Sequence, residues 1–166
     1  MIKSKKLSAN VDYYKNIETV SERFKDEPRA CCYDHALKLV NYAKKEKKVY
    51  VNSKTVDAII ILIYCWNFAA PITKSLTRKK IENLLSSNKK YLIKLESVLI
   101  TDLNESHKIV VNKIFKSFKK VFGQTGASKA LSLLNPKLFV MWDTKIRAKL
   151  KKCIKGIKNG EKSTYY

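Results

Sequence analysis

The sequence predicts an all-α fold, and three observations carry that prediction. Apolar residues recur at three- and four-residue spacing along most of the chain, for example Ala36, Leu39, Val40 and Ala43. Glycine and proline are scarce, with Gly 4 and Pro 3 in 166 residues, and they fall at the expected ends of helices. No period-2 run long enough for a strand interrupts the pattern. With 45% hydrophobic and 30% charged residues the chain can bury a core, and neither a disordered tail nor a membrane protein fits it.

Each helix has its own signals. A first is predicted over 11–24, ahead of Pro28, and a second over 29–44, leaving by the lysine-rich stretch 44–48. That exit is either a solvated connector or a phosphate contact. Ser53 stands as the N-cap of a third helix, whose apolar run over 56–70 leads to Pro71 and predicts burial on most sides. Two helices follow, over 77–85 and 88–100, the second with Tyr91, Leu92, Leu95, Val98 and Leu99 on one stripe.

A further helix begins near Asn104 and runs to Phe122, with Ile109, Val110, Ile114, Phe118 and Val121 inward and Gly123 at its C′ position. A short helix over 127–134 ends at Asn135 and Pro136. After an extended connector, 138–142, Asp143 caps a basic helix that closes at Gly156. The count is about seven or eight helices in one folded unit. The basic ends, 1–10 and 157–166, are expected to be loose.

The charge points to a polyanion. Lys+Arg 35 against Asp+Glu 14 gives +21, and 31 of the 35 are lysines, with arginine only at 23, 29, 78 and 147. Lysine suits phosphate as a point charge, whereas arginine's fork suits base edges, so backbone binding is expected over sequence reading. A lysine-rich surface that is merely solvated is the plainer account of the same numbers.

Other classes are excluded. Cysteines at 31, 32, 65 and 153 form no C-x-x-C pair, so a reduced intracellular chain without zinc or an iron–sulfur cluster is expected, with no cofactor and no metal. The N-terminal stretch lacks an apolar h-region, which predicts a protein that is not secreted, cytoplasmic (nucleoid-associated) or nuclear. The apolar stretch 58–72 is too short to span a bilayer and contains Asn67.

The informative segment is 122–150, FGQTGASKALSLLNPKLFVMWDTKIRAKL. The stretch Gly123-Gln124-Thr125-Gly126 reads as a hairpin between helices, whose second helix offers backbone N–H groups to a phosphate. Lys129 follows just inside that helix, and Asp143 stands at the start of the next.

These residues resemble the helix-hairpin-helix superfamily of DNA glycosylases, in which a glycine hairpin precedes a lysine and an apolar stretch ends in an aspartate motif. Here that motif is Trp142-Asp143-Thr144-Lys145-Ile146-Arg147. The hairpin has two residues between its glycines where the family has one. The resemblance covers about the last third of the chain.

It implies a helical fold with a DNA groove between an N-terminal and a C-terminal helical cluster. It also implies a monomer acting on double-stranded DNA that contains a damaged base. Lys129 would be the nucleophile and Asp143 its carboxylate partner, with possible strand nicking by β-elimination. Lys120, Gly123, Gln124, Thr125, Gly126, Lys145 and Arg147 would hold the phosphates. Trp66, Asn67 and Phe68, near the end of the third predicted helix, would fill the gap left by a flipped base or stack on it. Phe139 and Trp142 read as core rather than stacking residues. The alternative from another class is a non-catalytic helix-hairpin-helix module that binds DNA or RNA.

Overall fold

The computed structural model describes residues 28–67 and 75–141, and among them the fold is helical with no strand. Helix α1 spans Pro28–Lys45, α2 Ser53–Asn67, α3 Arg78–Lys94 and α4 Glu105–Leu134, with a 3-10 turn at Ile100–Asp102 before α4. The helices predicted over 11–24 and beyond Asp143 lie outside the described residues.

Proline at the first position of α1 supplies a preset φ and removes an N–H that a helix start leaves unpaired. Lys44 and Lys45 in the last turn complement the negative end of the dipole. The helix closes by a Schellman pair, Lys48 N–H to Ala43 O (3.3 Å) and Lys47 N–H to Lys44 O (3.0 Å), with Lys47 at φ 54 in the place glycine usually takes. The lysine-rich exit is therefore a helix stop.

The N-cap of α2 is Asn52, not Ser53. Its Oδ1 accepts from the Lys54 N–H at 2.9 Å, and its carbonyl accepts from Thr55 and Val56, which puts Ser53 inside the helix. Helix α2 packs against α1, α3 and α4, so its continuous apolarity has a partner on most sides. Ala58, Ile59, Leu62 and Ile63 are fully buried.

The two helices expected over 77–100 are one. Thr77 caps it, accepting from the Lys80 N–H, and it runs unbroken through Ser86, Ser87 and Asn88 to Lys94. Asn88 is buried and its amide donates to Leu84 O at 2.8 Å and Ser117 Oγ at 3.0 Å. A residue that usually breaks helices is held inside this one by a neighbour on α4.

Helix α4 begins where predicted, and Asn104 is its N-cap, accepting from the His107 N–H at 3.0 Å. Ile114 and Phe118 face the core, whereas Ile109 is 70% exposed and does not point inward as expected. The inward stripe of α4 begins with the neighbours of Ile109, Val110 and Val111. Phe118 and Phe122 meet with ring centroids 5.9 Å apart, and all four helices share one hydrophobic core, with Leu138 and Phe139 packed into it. The described residues thus do not divide into two clusters flanking a groove.

Candidate functional site around Lys129

The junction in α4 is tighter than a hairpin. Only Gly123 leaves helical geometry, at φ 70 and ψ 177, and the chain is helical again from Gln124. That backbone region is nearly closed to residues with a Cβ, and its ψ lies far from the left-handed helical value of an ordinary C′ glycine. Gln124 and Thr125 are half-buried and Gly126 is buried within the restarted helix. Because the helix resumes at once, Lys129 stands in its second turn rather than its first. It is therefore beyond the turn in which the helix dipole acts most strongly.

Lys129 is 8% exposed, and no other described lysine is buried. Full burial of a lysine is costly unless its amine is paired. Its Nζ donates to the main-chain carbonyl of Trp66 at 3.2 Å and lies 5.0 Å from the Trp66 ring centroid. The last carbonyls of a helix lack intrahelical donors, and α2 has no basic residue in its own last turn. Lys129 thus closes the end of α2 from 63 positions away in the sequence.

The Trp66 ring stacks on Tyr33 of α1 with centroids 6.1 Å apart and planes 18° from parallel. Burial pushes the Tyr33 hydroxyl above its ordinary range, with Asp34 adding to the shift. One residue before each ring in the sequence, the Cys32 thiol is pushed up first by its hydrogen bond with Cys65. Tyr33 is a neighbour of the site that spacing did not reveal, because it meets Trp66 only through the packing of α1 on α2, which also brings Cys32 to Cys65.

Two of the residues singled out in the sequence, Lys129 and Trp66, are thus brought together. Lys120 is exposed on the first stretch of α4, and Asn67 is the last residue of α2. Phe68, Trp142, Asp143, Lys145 and Arg147 lie outside the described residues. A cleft of about 330 Å³ between the α1–α2 connector and α3, lined by Tyr50, Ser53, Lys79, Glu82 and Ser86 among others, contains none of the predicted residues.

Among the described residues no group of three or more His, Cys, Asp or Glu side chains could hold a metal ion. No described helix is long and apolar enough to cross a membrane. Compared with protein-family models, with curated proteins and with solved structures, the chain matches none.

Proposed function

We propose that the chain is a DNA repair glycosylase in which Lys129 attacks the sugar of a damaged nucleotide. The observation that carries this reading is the burial of Lys129 with its amine fixed at the Trp66 carbonyl. A lysine that merely solvates a surface would extend into water, and a lysine that clamps phosphate would be open to it. An amine held beside an aromatic ring, inside a strongly basic chain, suits nucleophilic chemistry on a nucleotide drawn out of the duplex.

In the proposed reaction Nζ bonds to the anomeric carbon while the N-glycosidic bond breaks and the base leaves with its electron pair. Ring opening gives a Schiff base between Lys129 and the sugar. Loss of a proton from the adjacent sugar carbon then expels the 3′ phosphate by β-elimination. Asp143, by resemblance, takes the amine proton and faces the positive charge that builds on the sugar. Gly123, Gln124 and Thr125 at the helix restart, with Lys120, would hold a phosphate, and Lys145 and Arg147 another part of the same strand. Trp66 would stack on the displaced base or fill the gap, with Asn67 and Phe68 beside it.

Replacing Lys129 by Gln tests the reading, because glutamine keeps a donor for the Trp66 carbonyl and removes the nucleophile. K129Q is expected to melt near the parent, to bind duplex DNA and to form no borohydride-trapped adduct with lesion-bearing oligonucleotides. Asp143→Asn is expected to cut activity by a large factor while keeping a capping side chain. If K129Q nicked such DNA at the parent rate, the amine would serve only to close α2. A chain that binds DNA but yields no adduct with any lesion would be a non-catalytic module.

A further inference from the structure

A second surface invites attention because it concentrates like charge where the fold could have avoided it. Helices α3 and α4 lie side by side, and Asn88 to Ser117 (3.0 Å) and Tyr91 to Lys113 (2.6 Å) mark their seam. Moving forward along α3 moves backward along α4, so the two are antiparallel. Along this seam stand Lys90 and Lys94 of α3, four residues apart, and Lys113, Lys116 and Lys120 of α4, spaced by three and four. All five are exposed.

Residues at these spacings are neighbours on a helix face, and like charges there cost about 0.2–0.5 kcal/mol per pair. Among the described residues no carboxylate relieves them. The sequence holds no Asp or Glu over 83–95 or over 106–141, and none of the five lysines makes an ion pair among the described residues. The carboxylates of the same helices are used elsewhere: Glu82 pairs with Arg78 and Lys79, and Glu105 pairs with Lys108.

The centre of the face is ordered. Lys113 Nζ donates to the Tyr91 hydroxyl and sits 4.3 Å from that ring's centroid. The Tyr91 hydroxyl is held below its ordinary range, first by this hydrogen bond and then by the charges of Lys113 and Lys90.

We infer that Lys90, Lys94, Lys113 and Lys116 form a docking face on α3 and α4 for the phosphate backbone of duplex DNA, which reaches the Gly123 junction only at Lys120. Rows of compact ammonium groups match rows of phosphates and read no bases. Between the rows lie Ser87, Tyr91 and Ser117, and the exposed large apolar residues of the two helices are Ile93 on α3 and Ile109 on α4. A membrane-surface helix needs a broad apolar face beside its lysines, and this surface has none. The face goes beyond the glycosylase reading and needs nothing from Lys129, so either can fail without the other.

The test uses the full chain and an undamaged duplex oligonucleotide, with binding followed by fluorescence anisotropy across a salt series. Two variants of equal charge are compared: Lys90, Lys94, Lys113 and Lys116 all changed to Gln, and Lys38, Lys45, Lys79 and Lys137 all changed to Gln. The first is expected to lose at least tenfold in affinity at low salt, and its plot of log affinity against log salt should flatten by about 3.6, near 0.9 for each of the four phosphate contacts removed. The second should lose no more than about threefold, the share expected from net charge alone. Equal losses in the two variants would overturn the proposal, because the attraction would then belong to net charge and to no face. Unchanged duplex binding by the first variant, with loss of binding to phosphatidylserine vesicles, would also overturn it and make the surface a membrane contact. Thermal melting of both variants confirms that each is folded when binding is read.

Discussion

The two stretches of α4 on either side of Gly123 treat lysine in opposite ways. Before the glycine, Lys113, Lys116, Lys119 and Lys120 stand in water on the outer face of an amphipathic helix whose inner face is Val111, Ile114, Phe115 and Phe118. After it, every residue over 126–134 is buried, and Lys129 is buried with them. The first stretch has a solvent side onto which a lysine can be placed at little cost. The second has none, so its one lysine must find a partner, and finds it in the carbonyl of Trp66. A lysine's chemical meaning here is set by how many sides of its helix are covered.

The contrast predicts graded effects. Leu131→Ala, in the enclosed stretch, is expected to destabilise the fold by about 2–5 kcal/mol in denaturant unfolding, since a buried leucine is removed and a cavity left. A loss below about 1 kcal/mol would mean that the enclosure is loose. Gly123→Ala should cost about 1–3 kcal/mol, because alanine is strained where φ is 70 and ψ is 177. A neutral result would show that the two stretches can join as one straight helix. Ile109→Ala, on the open stretch, should shift stability by no more than about 0.5 kcal/mol. A larger loss would reveal a partner for that side chain.

Much of this was legible in the residues themselves. The stop at Asn135, the start near Asn104 and the break at Gly123 follow from local chemistry, because capping side chains and glycine act within a few residues of themselves. The unbroken α3 was not legible. Ser86-Ser87-Asn88 looks like an interruption until Ser117, 29 positions from Asn88, supplies the bond that keeps Asn88 inside. Ile109 is apolar yet lies on the outer face of α4, while its neighbours Val110 and Val111 face the core. In the candidate site, Lys129 could be singled out only by its place after the glycine. Its burial and its bond to Trp66 depend on the packing of α4 against α2, which no local spacing encodes.

One feature of the architecture bears on how the chain tolerates change. Two long-range hydrogen bonds among the described residues, Lys129 to the carbonyl of Trp66 and the Asn135 amide to the carbonyl of Leu95 (2.8 Å), run from a side chain to main chain at a helix end. Each is therefore written in one partner only. Whatever residue stands at 66 or 95 brings a carbonyl oxygen with it, whereas the donors at 129 and 135 vanish with their side chains. Positions 66 and 95 can drift without undoing the hydrogen bonds, and these bonds leave no compensating pair of substitutions behind, so a search for correlated changes would pass over two of the contacts that tie the helices together.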